Sequence, residues 1–340
     1  MRILSPGCYL STGDPFWSSA TPHVGRSIFR RVPAYASGHD GRTMSGMPPT
    51  GPGAMPAAPL SVARLRAALP GDAAAAGGPG TIWTDIRVMA ETGSTNEDVL
   101  KQAAGGAPEG LVIAAQAQTA GKGRQGRTWQ SRPGAALTFS VLLRPQSVPP
   151  ATRGWAPLLA GVATVRALRQ QTSVDAGLKW PNDVLVGGCK LAGILAEQSG
   201  EAIVVGIGIN VLGREHELPV ATATSLEHSG AATIDRTGLL AAILRQLEHW
   251  YLRWRETGEG DPAASGLREE YLSLCTTIGQ PVRILLPGGR VLTGTAVDVD
   301  DAGQLLVESA TGSDVAGLPP ARPAGGGRVA VSAGDVIHVR

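Results

Sequence analysis

Residues 118–131 read Q-T-A-G-K-G-R-Q-G-R-T-W-Q-S, and the interpretation of this stretch decides which folds remain open. Gly121, Gly123 and Gly126 free the backbone to take positive φ and to come close to a ligand, while Lys122, Arg124 and Arg127 set positive charge between them. A loop of this make-up suits an anion. No carboxylate occurs between Glu109 and Asp175, an interval that holds Lys122 and seven arginines, so the local field is one-signed. Trp129 adds a flat apolar face on which a ring can stack.

Gly121-x-Gly123-x-x-Gly126 fits the dinucleotide-binding fingerprint and follows a strand pattern at Leu111–Gln116. That fingerprint also needs a helix to begin inside it, so that the helix N-terminus meets a pyrophosphate. Here Pro133-Gly134 and the strand pattern Ala136–Leu143 follow instead, and no acidic residue lies about 20 positions downstream to hold a ribose. Hydride transfer therefore lacks its machinery, and a P-loop is excluded by the absence of G-K-[ST]. What remains is an arginine-bearing loop between two strands, able to fold over a small anion and a nucleotide.

On either side, Ile82–Met89 reads as a strand, and Glu91–Asp98 opens a helix closed by Gly105-Gly106. Ser94 with Glu97 and Thr95 with Asp98 stand in capping-box register, so helix capping alone would account for both hydroxyls. Leu158, Leu159, Val162, Val165 and Leu168 line a helix face, and a longer stripe from Leu239 to Trp254 marks a second, with Trp250 and Trp254 in the core. Lys179-Trp180-Pro181-Asn182-Asp183 precedes a hairpin turning at Gly187-Gly188. Simple alternation along its second strand puts Lys190 with Ala192, Ile194 and Ala196, and Gly193 on the opposite face. A lysine there either finds an anionic partner or reaches water from the hairpin end. Ala202–Asn210 reads as a strand buried on both faces, with Gly206 and Gly208 leaving room for close approach. After Cys275 short strands alternate with glycine turns, the texture of a small β-barrel.

With 340 residues, 43% hydrophobic content and a net charge of +2, the chain can bury a sizeable core and is no general polyanion binder. Residues 1–59 are rich in Gly, Pro, Ser and Thr without periodicity and read as a disordered or over-long N-terminal tail. Prolines 33, 48, 49, 52 and 56 exclude the helices of a DNA-binding helix-turn-helix there. No apolar run reaches the roughly 18 residues of a membrane span. Cys8, Cys189 and Cys275 form no C-x-x-C pair and read as reduced thiols of a cytoplasmic protein.

Taken together, E-T-G-S-T-N (91–96), G-K-G-R-Q-G-R-T-W (121–129), K-W-P-N-D-V-L-V-G-G-C-K-L-A-G-I-L-A-E (179–197) and G-I-G-I-N-V (206–211) resemble biotin protein ligase, four motifs in family order. The resemblance spans roughly residues 83–340. It implies an α+β fold with a mixed, largely antiparallel sheet, biotin/lipoate ligase-like and related to the class II aminoacyl-tRNA synthetase core, plus a C-terminal SH3-like β-barrel. The implied boundaries are a catalytic domain at 60–276 and the barrel at 277–340.

The implied chemistry joins biotin to ATP, with Mg2+, as biotinyl-5'-adenylate, then passes biotin to a lysine of a biotin carboxyl-carrier protein domain. Neither DNA nor membrane is an expected partner. By resemblance, Ser94, Thr95 and Gln118 hydrogen-bond the ureido ring, and Asn96 also belongs to the biotin site. Lys122, Gly123 and Arg124 cover the biotin carboxylate and α-phosphate, and Gly206 and Gly208 let the wall approach the bicycle. Arg127 and Trp129 serve the phosphate and adenosine end, with Asp183 and Asn210 as orienting or magnesium-associated groups. Lys190, with Arg124, is the implied catalytic cation. The family's usual arginine is a lysine at position 122, which trades a bidentate grip for a point charge. Rival readings are a ligase that doubles as a repressor and a lipoate-type ligase.

Overall fold

The computed structural model describes residues 58–69, 81–214, 217–218, 220–231, 234–256, 260–286, 289–309 and 328–339. Most of the N-terminal stretch read as a tail, with Cys8, and the spacer 70–80 lie outside the described residues. Helix α1 (Val62–Ala68) starts at Ser61, whose Oγ accepts from Arg64 N at 3.3 Å.

Seven strands form the larger sheet: β1 (Asp85–Met89), β2 (Leu111–Ala115), β3 (Ala136–Leu143), β4 (Ala176–Lys179), β5 (Asp183–Val186), β6 (Cys189–Ser199) and β7 (Ala202–Asn210). Their order is β1-β2-β3-β7-β6-β5-β4. The β1–β2 pair is parallel, because α2 (Thr95–Ala104) supplies the crossover between them. All other neighbours run antiparallel.

Alternation along β7 divides the two faces. Ile203, Val205, Ile207 and Ile209 enter the main core with α3 (Trp155–Thr172), α4 (Arg236–Glu256) and α5 (Leu267–Leu274). α3 is buried nearly all round because sheet and helices flank it. Both Trp250 and Trp254 are core, as expected. On the opposite face Ala202 and Val204 pack with Val99 and Ala103 of α2 in a smaller cluster.

The C-terminal strands β8 (Pro281–Leu285), β9 (Val291–Val299), β10 (Leu305–Ser309), β11 (Arg328–Val331) and β12 (Asp335–His338) form an antiparallel sheet ordered β11-β10-β9-β8-β12. Its apolar residues belong to the same continuous core as the larger sheet. Trp155 Nε1 donates to Asp300 O and Trp180 Nε1 to Gly303 O, each at 3.1 Å, so two buried indoles tie the domains together.

Cys275 is a buried free thiol, and the Cys189 side chain is buried at the start of β6. The reading of Cys275 as a reduced thiol holds, and Cys8 lies outside the described residues. No helix among the described residues is long and apolar enough to cross a membrane.

Candidate active site

The parity that buries Val204 against α2 brings Gly206, Gly208 and Asn210 to the same face. Beyond the reach of α2 this face opens into a cavity of about 710 Å³. Paired residues share the face, so β3 adds Thr138 and Ser140 and β6 adds Gly193 and Leu195. Where the other face carries isoleucines, this one carries glycines and hydroxyls.

All fourteen residues assigned from the motifs line this cavity. Ser94 is the N-cap of α2, yet its side chain makes no capping hydrogen bond and it is 2% exposed. Asp98, expected to cap with Thr95, is instead hydrogen-bonded by Thr92 Oγ1. The capping explanation therefore does not account for either hydroxyl. Thr95 N and Thr95 Oγ1 lie 2.8 and 3.1 Å from Gln118 Oε1. Asn96 has turned inward: its Nδ2 donates to Glu197 Oε2 at 2.8 Å and to Leu195 O at 3.3 Å, and its Oδ1 accepts from Ser140 Oγ at 2.6 Å. Its amide is thus engaged by protein groups on both sides.

The glycine loop is a pinched turn. Gly123 N donates to Arg127 O at 2.7 Å and Trp129 N to Gly121 O at 2.8 Å. Gly126 takes positive φ, but Gly123 does not, and Gln125 does at φ 55. Gly121 is required for closeness: a Cβ there would lie 2.6 Å from Trp129 O.

The one-signed field expected of the loop is offset by carboxylates from distant segments. Lys122 Nζ pairs with Glu97 Oε1 at 2.5 Å, and Arg127 pairs with Asp335 of β12. Arg124 has no carboxylate within ion-pair distance among the described residues; its Nη1 donates to Asn182 Oδ1 at 2.9 Å. Burial pushes its guanidinium down from the usual value, without discharging it at neutral pH.

Lys190 does not follow the simple alternation expected of its strand. Val184 pairs with Ala192 but Leu185 pairs with Lys190, so Leu191 is an extra residue in β6. Leu191 and Ala192 both enter the core, and Lys190 turns to the cavity beside Gly193. Its Nζ lies 2.6 Å from Asp183 Oδ1. The contact is an ion pair without hydrogen-bond alignment, and it leaves that buried oxygen with acceptor capacity. Backbone bonds to Thr222 and Thr224, each 2.8 Å, hold Lys190 in place. Lys179, half-buried nearby, has its ammonium pushed below the usual lysine value by burial.

The Trp129 ring lies against the sheet at the edge of this cavity. A Cβ on Gly208 would come within 2.6 Å of its ring and one on Gly193 within 3.5 Å. The glycines expected to admit a bicycle admit protein groups here, Gly208 the indole and Gly206 the Asn96 amide. The indole Nε1 is buried without a partner. Asn210 Nδ2 donates to Thr224 O at 3.0 Å. Asn182, Lys179, Ser140, Glu197 and Asp335 were not assigned from the sequence. Asn182 lay inside the K-W-P-N-D motif and was recoverable, whereas the others needed three-dimensional neighbours.

Comparison with known proteins agrees with this geometry. Residues 88–213 match the biotin/lipoate A/B protein ligase family and 277–339 the biotin protein ligase C-terminal domain. A Mycobacterium tuberculosis protein named biotin–[acetyl-CoA-carboxylase] ligase is 41% identical, over 77% of this chain and 92% of its own. The chain belongs to the biotin protein ligase family. Another relative, the Bacillus subtilis bifunctional ligase/repressor BirA, is 34% identical over 64% of this chain and 68% of its own. The solved biotin protein ligase from Aquifex aeolicus in complex with biotin and ATP covers 76% of this chain and 99% of its own, with a TM-score of 0.61 and 27% identity. In this biotin protein ligase the two matched regions meet at the cavity, because Asp335 and its β12 neighbours form part of the lining.

Proposed function

We propose that the chain activates biotin with ATP and transfers it to a lysine of a carrier domain of a biotin-dependent carboxylase. The observation that carries the reading is the junction, in one cavity, of a polar ureido-sized end at Thr95 and Gln118 with a cationic end at Arg124 and Lys190. In the first step a biotin carboxylate oxygen attacks the α-phosphorus, the bond to the bridging oxygen breaks, and pyrophosphate leaves. Two anions must meet for this, and fixed cations in a site walled by apolar strands lower that cost without reorganising. Lys190 faces the charge that grows on the phosphorus oxygens, and Arg124, free of a carboxylate, is available to the attacking carboxylate. In the second step the carrier amine attacks the acyl carbon and AMP departs.

Magnesium fits as a companion of the nucleotide. Asp183 offers one carboxylate whose Oδ1, ion-paired with Lys190, accepts no hydrogen bond, a donor set that suits an ion otherwise held by phosphates and water. Such an ion would neutralise phosphate charge. Ser94 keeps its hydroxyl for ligand, and Thr95 and Gln118 match the edge of a cyclic urea, which a dithiolane lacks. The test is biotin-dependent exchange of labelled pyrophosphate into ATP, followed by labelling of a carrier domain. Lipoate replacing biotin in that assay would overturn the substrate assignment.

A further inference from the structure

The hydroxyls and amides beneath the cavity form a chain that ends on a carboxylate, and its proton directions can be fixed from partners whose roles are unambiguous. Leu195 O and Glu197 Oε2 only accept, so the Asn96 atom facing them is Nδ2, at 3.3 and 2.8 Å. Asn96 Oδ1 must then accept, and Ser140 Oγ, 2.6 Å away, supplies the proton. With its proton committed, Ser140 Oγ can only accept from Thr95 Oγ1 at 2.8 Å. The other outlet for the Thr95 proton is Gln118 Oε1 at 3.1 Å. Whichever acceptor takes it, the proton stays within the protein, and Thr95 Oγ1 shows only lone pairs to the cavity. Thr95 N is a backbone donor 2.8 Å from Gln118, which fixes the Oε1 atom there. Gln118 Nε2 therefore faces outward as a donor, with no hydrogen bond among the described residues.

We infer that Glu197 is a remote positioning residue for ligand recognition: through Asn96 it holds the Ser140 proton away from Thr95 Oγ1 and so keeps the Thr95 lone pairs open to a ligand N–H. This rests on the ligase reading and deepens it, since a cyclic urea carries N–H donors on both sides of its carbonyl. Neither Glu197 nor Ser140 needs to touch the ligand. Gly206 is part of the device, because a Cβ there would lie 2.0 Å from Asn96 Oδ1 and 3.2 Å from Ser140 Oγ. The short hydrogen bonds hold only while position 197 cannot donate. A glutamine there could donate, let the Asn96 amide turn, and release the Ser140 proton toward Thr95.

The experiment measures steady-state biotin-dependent pyrophosphate exchange on the full chain. Glu197→Gln and Ser140→Ala are each expected to raise the KM for biotin about ten- to hundred-fold, as when a buried polar group loses its match. kcat and the KM for ATP should be retained. Combined with Thr95→Val, neither should add further loss in biotin affinity, since the hydroxyl they orient is gone. A biotin KM unchanged in both variants, or effects that multiply with Thr95→Val, would overturn the relay. A general structural defect would instead lower kcat and raise both KM values together, and would count against it equally. The same cycle read by unfolding free energy needs no ligand: the destabilisations at Glu197 and Thr95, which do not touch, should fail to add. Additive values there would refute the relay even if the chain used another vitamin, while wild-type protein inert toward biotin would refute only the ligase reading.

Discussion

Lys190→Gln removes the ammonium with little change in volume, and its consequence can be worked from the ion pair. Asp183 Oδ1 lies 2.6 Å from Nζ, so the field at the reacting phosphorus is that of a dipole rather than a free cation. With an effective dielectric of ~20, a unit charge forming ~4 Å from Nζ and ~6 Å from the carboxylate is stabilised by about 1.4 kcal/mol. A charge-assisted hydrogen bond from Nζ contributes about 1.5–3 kcal/mol more. The sum, roughly 3–4 kcal/mol, corresponds to a loss of about 10²- to 10³-fold in kcat for adenylation. Stability should hardly move, because both partners are partly exposed and such pairs contribute about 0–1 kcal/mol. The assay is single-turnover formation of the adenylate at saturating biotin and ATP, with the unfolding midpoint measured in parallel. A fall in rate below ten-fold, with the fold intact, would show that Lys190 does not face the developing charge.

Other perturbations follow from the same geometry. Asp335→Asn frees Arg127 from the C-terminal sheet, and since that pair competes with any phosphate for the guanidinium, the KM for ATP should fall by about five-fold or less, the equivalent of a ~1 kcal/mol exposed pair; a rise in that KM would exclude the competition. Gly206→Ala drives a methyl into a fully hydrogen-bonded amide, so overpacking of about 1–3 kcal/mol should lower the unfolding midpoint by several degrees and weaken biotin binding; an unchanged midpoint would mean the strand can yield. His338, half-buried and near Lys179, is held below the ordinary imidazole value by desolvation and by that ammonium, and it meets Thr277 Oγ1 at 3.2 Å. Its neutral form is favoured by folding, so its contribution is complete above about pH 6.5 and is lost as pH falls through the folded value. His338→Gln should flatten the acid side of the stability profile relative to wild type in thermal scans from pH 7 to 5.

Much of the sheet was legible because its elements carry strong local signals. Ala136–Leu143 and Ala202–Asn210 match their strands end to end, each an apolar run bounded by turn residues. The helix at Thr95 was also legible, but its register was read as two capping boxes that the structure does not make. Capping propensity is a local preference, and it yields when Gln118, 23 residues on, offers the Thr95 backbone N–H an acceptor. The loop's charge misled for the same reason. A 65-residue gap in carboxylates along the chain, from 110 to 174, says nothing about Glu97 or Asp335 arriving from other elements.

Lys190 shows most plainly where pattern reading stops. An unbroken alternation places its side chain with Ala192 and Ile194 in an apolar layer, where an ammonium could not stay charged without heavy cost. A single extra residue at Leu191 resolves this, since two consecutive apolar side chains can then enter the core while the lysine crosses to the glycine face. The bulge leaves no mark in composition, because Leu191 is as apolar as its neighbours. It is required by the conflict between a charged residue and a two-residue period, and that conflict was readable. A cation that breaks strand alternation beside a glycine hairpin is therefore itself a signal of a bulge, and deleting Leu191 should give a regular ladder in which Lys190 still faces the cavity beside Gly193, so that the folded variant keeps adenylation while losing about 2–5 kcal/mol of stability with the core leucine, read from its unfolding midpoint.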